Sequence, residues 1–416
     1  MTACTLHHPA HGRIDVHRGP ALLAGVEDGP GLAAHESLYG ALPRLRPAEL
    51  AGLADGVHLH GRGGAGFSFA RKLTTTAGRR GRPVVVVNLS EGEPASHKDA
   101  ALAQVAPHLL LDGAALTAHV LGTVDVHVAL PGESPLVGRA VRGALAERSI
   151  DGRDGRIRWT LHEATETFVA GQSSAVLELM AGRPNLPVTA WRPSAESGHR
   201  RRPTLLSNAE TFAQVARLAL LGVGAYRSRG THAEPGTTLL TLDGDSVTGR
   251  APQVVEVPFG APWTDVLSPR RLSVPVLLGG YHGTWAAPGA LAALAVSPPA
   301  LAEAGMGLGA GVVLPLDVGC PLTRTAEVTT YLASQSARRC GPCLKGLPAL
   351  ASALEAVTHG TGGPAEVRRH PDGTVRLVRS MLACFEEEVA RHVRGRCGFR
   401  RTASPAAGRS WLEVPA

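Results

Sequence analysis

The clearest hydrophobic block in the first half of the chain is residues 83–87, which read PVVVV. A short run that is apolar and β-branched is typical of a strand buried on both faces of a parallel sheet. A polar segment, residues 88–93, follows directly. Since open α/β sheets bind ligands at the carboxyl ends of their strands, this order predicts a buried strand that ends at a binding site.

The pattern changes further along the chain. Residues 236–260 show the alternating strands and turns of a small β-rich domain, whereas residues 344–357 and 376–393 carry apolar residues at helical spacing. A Gly/Pro-rich segment, residues 360–371, separates these two predicted helices. The predicted regions are an irregular leader (1–50), an α/β domain (51–230), a small β-rich domain (231–290), a connecting segment (291–322) and a helical bundle (323–416).

A glycine-rich loop precedes the predicted strand. Residues 61–67 read GRGGAGF, with four glycines within six residues. Glycine lets backbone N–H groups approach an anion without interference from Cβ, and a helix that begins near Ser68 adds its positive end. A surface turn has the same composition, so the loop alone has two interpretations. Its place before the strand favours a phosphate site.

Composition narrows the class of protein. The 416 residues are enough for roughly two or three domains. Six irregularly spaced cysteines argue against a secreted disulfide framework and favour a reducing cytoplasm, and the absence of a long apolar run argues against direct membrane insertion. The net charge is +7, but aromatic residues make up only 4% and the arginines are scattered, which argues against nucleic acid. A basic surface that faces an acidic redox carrier fits better.

Lysine and asparagine are scarce. All but three of the 42 basic residues are arginine, and asparagine also occurs three times. Arginine cannot supply the compact charge of lysine, and aspartate cannot supply the neutral donor and acceptor of asparagine. Several of these residues lie close to the loop and strand described above, which indicates a chemical role there. The lysines are Lys72, Lys98 and Lys345 and the asparagines are Asn88, Asn185 and Asn208; of these, Lys72, Lys98 and Asn88 lie within residues 61–99.

Five motifs follow one another in a fixed order. They are residues 61–67 (GRGGAGF), 88–99 (NLSEGEPASHKD), 107–113 (PHLLLDG), 168–175 (FVAGQSSA) and 203–211 (PTLLSNAET). Together they resemble the family of flavin-bearing, NADH-binding subunits of NADH:quinone oxidoreductase (respiratory complex I), which also has members in NAD-linked hydrogenases and formate dehydrogenases. The resemblance extends over roughly residues 55–395 and is strongest in the first half.

The resemblance implies a Rossmann-like α/β domain that binds FMN, followed by a small β-grasp-like domain of the SLBB type and a C-terminal helical bundle. The chemistry of the residues agrees, because backbone amides and Lys72 suit a phosphate and side-chain amides suit the donors and acceptors of a flavin. Alternatively, Asn88 caps a turn and Glu91 is a solvated loop acid. The implied FMN-binding residues are Arg62, Gly63, Gly64, Ala65, Gly66, Lys72, Asn88, Ser90, Glu91, Gly171, Ser207, Asn208 and Thr211.

The part of the site that the resemblance assigns to NADH departs from the family. Glu93, the candidate catalytic residue, stands where the family uses a glutamate toward NADH, but Gln172 and Ser173 replace an acidic pair. An amide cannot simply replace a carboxylate that accepts from ribose hydroxyls.

The predicted function is therefore that of an FMN-dependent oxidoreductase. It would pass electrons from a two-electron donor, NADH or a similar molecule, to an iron–sulfur or other one-electron carrier. The alternative is a noncatalytic adaptor that docks a redox partner. In either case the expected partner is a protein, either ferredoxin-like or a membrane reductase.

Cys340 and Cys343 form a CGPC motif. The family has three cysteines in this place and a fourth further on, which together hold a 4Fe-4S cluster; here Ala337 replaces the first. Each missing thiolate needs a substitute, and imidazole can ligate iron–sulfur iron. The candidate substitutes are His370, Cys384 and Cys397.

Other interpretations of the motif remain open. A thioredoxin-type dithiol follows a strand, whereas residues 326–339 are predicted to be helical. A vestigial site with two small, half-buried cysteines is a further alternative. Cys384 shares a face with apolar residues, which favours burial in the core, and Cys4 and Cys320 are expected to be structural.

Overall fold

The computed structural model describes residues 3–8, 12–243, 251–368 and 375–399. The chain forms two compact units. The first contains residues Met1–Leu242 and Ala251–Ala261, and the second contains residues Asp243–Arg250 and Pro262–Ala416. No helix among the described residues is both long and apolar enough to cross a lipid bilayer.

The first unit alternates strands and helices. Its strands are β1 (Ala3–His8), β2 (Gly12–His17), β3 (Val84–Asn88), β4 (Asp125–Pro131), β5 (Arg158–Ala164), β6 (Thr204–Asn208), β7 (Thr237–Leu242) and β8 (Gln253–Pro258). Its helices are α1 (Leu32–Tyr39), α2 (Pro47–Gly56), α3 (Phe69–Ala77), α4 (Lys98–Val105), α5 (Pro107–Val120), α6 (Pro135–Asp151), α7 (Ser173–Met180) and α8 (Ala209–Arg227).

Strands β3 to β6 form a parallel sheet in the order β5–β4–β3–β6. The four valines of β3 are fully buried, which confirms the predicted buried strand. The chain moves outward from β3 through β4 to β5 and then returns to place β6 on the other side of β3. The strand order therefore reverses between β3 and β6, and such a reversal opens a crevice at the carboxyl ends of the strands.

Helices α5 and α8 pack closely against one another. A Cβ atom at Gly113 on α5 would overlap the backbone oxygen of Phe212 on α8, so the crossing requires glycine. The last residue of β6, Asn208, is the N-cap residue of α8. This packing places the N-terminus of α8 at the crevice.

The predicted irregular leader over residues 1–50 is wrong. β1 and β2 form an antiparallel hairpin, and β2 also pairs in parallel with β8. Ile14 and Val16 on β2 are fully buried, and helix α1 and the start of α2 also lie within this region. The leader has regular structure because it pairs with a strand far along the chain, a contact that leaves little local signal.

The predicted boundaries of the β-rich domain, residues 231–290, also need correction. β7 and β8 pair with one another and belong to the first unit, whereas the strands after Ala261 belong to the second. Buried Glu256 on β8 accepts hydrogen bonds of 2.8 to 3.0 Å from the backbone N–H groups of residues 21–23. These bonds hold β8 against the leader.

The second unit combines a small sheet with helices. Its strands are β9 (Val276–Leu278), β10 (Thr284–Ala286) and β11 (Val312–Pro315), in the antiparallel order β11–β9–β10. Its helices are α9 (Trp263–Val266), α10 (Pro269–Leu272), α11 (Pro298–Glu303), α12 (Pro321–Ser334), α13 (Leu347–Thr358), α14 (Pro364–Arg368), α15 (Val375–Cys384) and α16 (Glu386–Val393).

The helices near the C-terminal end differ from the predicted ones in their bounds. The segment predicted as one helix over residues 376–393 is divided at Phe385 into α15 and α16. The helix predicted over residues 326–339 ends earlier than predicted, because α12 ends at Ser334. Arg338 then adopts a φ of 52°, so the residues directly before the CGPC motif are not helical. α14 lies within the predicted Gly/Pro-rich break.

Candidate functional site

Asn88 and Asn208 lie side by side at the carboxyl ends of β3 and β6, where they are direct register partners. The sheet order reverses between these two strands. Ser207, the residue before Asn208, is buried in β6. The two asparagines that the sequence singled out therefore meet at the crevice where open α/β sheets bind ligands.

The glycine-rich loop lies next to Asn208. It is closed by a hydrogen bond of 2.9 Å from the N–H of Gly61 to the carbonyl of Phe67. Gly64 and Gly66 adopt φ values of 90° and 59°, which favour glycine. A Cβ atom at Gly63 would lie 3.7 Å from the side chain of Asn208. Residues 63–66 are exposed, so their backbone is open to a ligand.

Thr211 on α8 connects this loop to Asn208. The backbone N–H of Arg62 donates a hydrogen bond of 2.9 Å to Thr211 Oγ1, and that hydroxyl donates to Asn208 Oδ1. Asn208 Nδ2 in turn donates a bond of 2.9 Å to Asp99 Oδ2 at the start of α4. One chain of hydrogen bonds thus fixes the loop against β6 and α4.

A buried ionic network supports this chain of hydrogen bonds. Lys98 Nζ lies 3.2 Å from Asp99 Oδ1 and 2.9 Å from Glu210 Oε2, and all three side chains are buried. Burial alone lowers the pKa of Lys98, but the surrounding carboxylates raise it above its usual value. The scarcity of lysine pointed to Lys98, whereas Asp99 and Glu210 lie within the quoted motifs and were not among the predicted site residues.

Lys72 lies on α3, one turn after the loop. Its side chain is half-buried, and Nζ donates a hydrogen bond of 3.1 Å to the carbonyl of Leu206. Burial lowers the pKa of Lys72. An ammonium carries three donors, so this bond leaves it able to bind an anion as well.

The turn after β3 packs against the loop that contains Gly171. Asn88 Nδ2 donates a hydrogen bond of 2.7 Å to the carbonyl of Gly171, and Ser90 Oγ donates one of 2.6 Å to Asn88 Oδ1. A Cβ atom at Gly171 would lie 2.6 Å from the carbonyl oxygen of Ser90, so the two backbones approach as closely as glycine allows. The side chain of Asn88 therefore organises this contact.

Glu91 is not a solvated loop acid. Its carboxylate accepts hydrogen bonds from Ser96 Oγ at 2.6 Å and from the backbone N–H groups of Asp99 and Ala100 at 3.1 and 3.0 Å. It therefore caps the first turn of α4. Burial and the neighbouring Asp99 raise the pKa of Glu91.

The residues expected to face a dinucleotide lie in the turn after β3 and directly after Gly171. Glu93 is half-buried and accepts a long hydrogen bond of 3.4 Å from the N–H of Ala95. Gln172 and Ser173 are exposed at the N-terminus of α7. An anion would be stabilised there by the helix dipole, and neither side chain carries a charge.

Residues 55–217 match the family described as the Nuo51 FMN-binding domain. This segment contains the loop, β3, β6 and the start of α8. This part of the chain is therefore similar in sequence to that FMN-binding domain. The resemblance predicted from the motifs is therefore confirmed.

Known proteins are similar along most of the chain. The F 2 subunit of NADH-quinone oxidoreductase in Rhizobium meliloti (strain 1021) is 27% identical over 93% of this chain and 98% of its own length. The F subunit of the same enzyme in Escherichia coli (strain K12) is 25% identical over 92% of each chain. A solved NAD+-reducing NiFe-hydrogenase in the H2-reduced state has the same fold, with a TM-score of 0.77 and 24% identity over 91% of this chain and 67% of that chain.

The CGPC motif lies outside the FMN-binding domain, in the second unit. Cys340 is exposed and Cys343 is half-buried, and the N–H of Leu344 donates a hydrogen bond of 3.0 Å to the carbonyl of Cys340. The segment forms a helical turn directly before α13. The 4Fe-4S cluster at these cysteines stays a prediction.

The candidate substitutes lie elsewhere. Cys384 is exposed, not buried in the core, and its Sγ donates to the carbonyl of Trp285 at 3.3 Å, while His370 lies outside the described residues. Within the described ranges, one group of three or more His, Cys, Asp or Glu side chains brings its ligand atoms within 4.8 Å of one another, and it does not include the CGPC motif. That group is Cys320, Glu388, His392 and Cys397.

Cys320, which the sequence predicts to be structural, is buried and lies within this group. No local pattern reveals the group, because Cys320 is separated from the other three residues by most of the helical region. The spacing of Glu388 and His392, four residues apart on one helix, is the signal that was available.

Proposed function

We propose that the protein is an FMN-dependent electron-transfer oxidoreductase of the NADH dehydrogenase type. It takes electrons from a two-electron donor, NADH or a similar molecule, and passes them to an iron–sulfur or other one-electron carrier. The observation that carries the proposal is the pairing of Asn88 with Asn208 at the reversal of the sheet, beside an exposed glycine loop. This arrangement lies within the segment that matches the FMN-binding domain.

The residues present fit the phosphate end of FMN. The exposed backbone of residues 63–66 offers N–H donors without side chains, and Lys72 adds a positive charge from the adjacent helix. Because Thr211 anchors the N–H of Arg62, the loop is held in place before a ligand arrives. When bound, FMN supplies the exchange between two-electron and one-electron transfer.

The turn after β3 would shape the site for the flavin ring and the electron donor. Asn88 fixes the distance between this turn and Gly171. Since the Asn88 oxygen already accepts from Ser90, we assign the ring contacts of Asn88 to its remaining N–H. Asn208 contributes mainly by positioning the loop through Thr211. Glu93 supplies carboxylate acceptors toward the hydroxyl groups of the donor.

A second candidate function is supported by the exposed, uncharged Gln172 and Ser173 at the start of α7. A chain that keeps the fold and lacks acceptors for a ribose would serve as a noncatalytic adaptor that docks a redox partner. The net charge of +7 suits an acidic partner of that kind.

The proposal extends to the rest of the chain. Cys340 and Cys343 would contribute to a 4Fe-4S cluster in the helical bundle, and a β-rich segment that follows the FMN-binding domain would represent an SLBB-type β-grasp domain. The partner would be a ferredoxin-like protein or a membrane reductase. The small number and irregular spacing of the cysteines support a place in a reducing cytoplasm.

Flavin analysis and an anaerobic NADH titration test the proposal. We expect the purified full-length protein to contain FMN and NADH to bleach the flavin absorbance. Lys72→Met should weaken FMN binding by about tenfold or more, since it removes the charge beside the loop. Lys345→Met is the matched control, because this lysine is exposed in the second unit.

Each outcome separates the alternatives. A protein that never acquires flavin, even when FMN is added in excess, would contradict the oxidoreductase function and leave the adaptor. Bound FMN that NADH does not bleach would favour the adaptor or a different donor. Equal FMN affinity in the Lys72→Met and Lys345→Met variants would remove Lys72 from the site.

A further inference from the structure

Four potential metal ligands meet in the second unit, at a place that the proposed electron transfer does not use. Cys320 directly precedes α12, Glu388 and His392 lie one turn apart on α16, and Cys397 follows that helix. We call them the Cys320 cluster. Their ligand atoms all lie within 4.8 Å of one another.

The separations within the Cys320 cluster are those of a four-coordinate metal site. Cys320 Sγ lies 3.4 Å from His392 Nε2 and 3.9 Å from Glu388 Oε1, and these last two atoms are 3.3 Å apart. Ligands placed tetrahedrally around zinc at their usual bond lengths are about 3.3–3.8 Å from one another. Three edges of the tetrahedron are thus already close to their expected lengths.

The orientation of His392 presents its Nε2 to the other members of the cluster. Its Nδ1 lies 3.0 Å from the carbonyl oxygen of Thr358, and a carbonyl only accepts, so Nδ1 carries the proton. The lone pair of Nε2 then points at the carboxylate oxygen of Glu388. Either a metal ion between these two atoms or a proton on Nε2 makes this contact favourable, and a metal ion also uses the neighbouring Cys320 Sγ as a ligand. A backbone carbonyl that holds the second ring nitrogen is also the usual support of a metal-bound histidine.

Burial and local backbone structure add to this evidence. Cys320, Glu388 and His392 are only 7%, 4% and 7% exposed. After α16 the chain turns at Gly395 and returns Cys397 to the cluster, where the N–H of Gly398 donates a hydrogen bond of 2.7 Å to Glu388 Oε1. The chain therefore forms a preformed pocket with one exposed thiol at its rim.

We propose that the Cys320 cluster binds one structural zinc ion that joins the start of α12 to the segment after α16. Thiolate and imidazole ligands favour zinc over magnesium or calcium, and four protein ligands leave no open position for a substrate. Two thiolates and one carboxylate exceed the charge of Zn²⁺ by one. Arg391 Nη1, 3.5 Å from Glu388 Oε2, and the N-terminus of the 14-residue α12 compensate that charge.

Metal analysis of the full-length protein tests the proposal. Protein from zinc-supplemented cells should contain about one zinc per chain, and Co²⁺ in its place should give the thiolate charge-transfer absorption of a tetrahedral site. Cys397→Ser and His392→Ala should each lose most of the zinc. Cys397 is exposed, so its replacement is not expected to disturb folding in any other way.

Two matched controls isolate the effect. Cys384→Ser changes another exposed cysteine of the same unit, and the double change Cys340→Ser, Cys343→Ser removes the CGPC thiols; both should keep their zinc. A chelator should lower the melting temperature of the wild type and leave that of Cys397→Ser unchanged. Absence of zinc in the wild type, zinc retained in Cys397→Ser and His392→Ala, or iron and sulfide lost from these variants would each overturn the proposal.

Discussion

Asn208 Nδ2 donates a hydrogen bond of 2.9 Å to Asp99 Oδ2, and this bond joins the end of β6 to the start of α4. The same asparagine accepts from Thr211, which holds the N–H of Arg62. A strand end, a helix start and a glycine loop therefore share one hydrogen-bonded path. The precision of the proposed phosphate site depends on this path, since the loop itself is exposed.

Thr211 gives the most direct test of the path. Thr211→Val keeps the shape of the side chain and removes the hydroxyl, which leaves the N–H of Arg62 and the oxygen of Asn208 without it. We expect FMN affinity to fall about tenfold, which corresponds to about 1.4 kcal/mol. Fluorescence titration of the apoprotein with FMN measures this change. Thr211→Ser restores the hydroxyl and should bind FMN like the wild type; equal affinities in all three proteins would exclude the anchoring role.

Lys98 is expected to matter for stability. Its replacement by methionine leaves Asp99 without its cation and Glu210 with only Arg62, whose Nε lies 3.8 Å from Glu210 Oε1. Removing one partner from a buried ion pair costs about 3–5 kcal/mol. The free energy of unfolding of the first unit, measured in urea, should fall by that amount.

The companion variants of Lys98 separate charge from packing. Lys98→Met combined with Glu210→Gln removes charge of both signs and should recover part of the loss. Lys345→Met should have no effect on the first unit. A Lys98→Met variant as stable as the wild type would show that the network contributes nothing to folding.

The central part of the fold and of the candidate site could be predicted because its signals are local. The valine run marks a buried strand, and the polar residues after it mark the edge of the sheet. Scarce lysine and asparagine pointed to Lys72, Lys98 and Asn208, because these residues could not drift to arginine or aspartate without losing their chemistry.

Other features depend on contacts between distant residues, and the sequence does not show these. β2 is a strand because it pairs with β8, and Glu91 caps α4 because the chain folds back onto it. The motif alone therefore does not show that Glu91 holds the first turn of α4. The Cys320 cluster likewise forms only when α12 and α16 come together.

A group of three histidines in the first unit predicts a dependence of stability on pH. His127 Nδ1 lies 2.9 Å from His162 Nε2, and the His199 ring packs against His127. Burial, with the two neighbouring histidines, lowers the pKa of His127 to about 4; nearby Asp125 raises it and Arg202 lowers it. Since the unfolded chain binds this proton near pH 6.5, stability is full above that pH and is lost as the pH falls toward 4.

His127→Gln checks the sign of this effect. Urea unfolding at several pH values should show a smaller loss of stability between about pH 6.5 and 4 in the variant than in the wild type. His119→Gln, which changes an exposed histidine on α5, should keep the wild-type dependence. An unchanged pH profile in His127→Gln would assign the acid sensitivity to other groups.

Gly113 provides a test of the packing that positions α8. A methyl group at this residue would overlap the backbone oxygen of Phe212, and neither helix can move without disturbing a fully buried core. We expect Gly113→Ala to destabilise the first unit by about 3 kcal/mol or more and to weaken FMN binding as well, because the N-terminus of α8 carries Thr211.

Gly143→Ala is the matched control on α6, since Gly143 is exposed and a Cβ atom there meets no atom within 4 Å. It should stabilise the protein by about 0.5–1 kcal/mol through helix propensity. Thermal and urea unfolding of both variants measure these changes. A shift of stability in the same direction for the two alanines would contradict this account of the α5–α8 crossing.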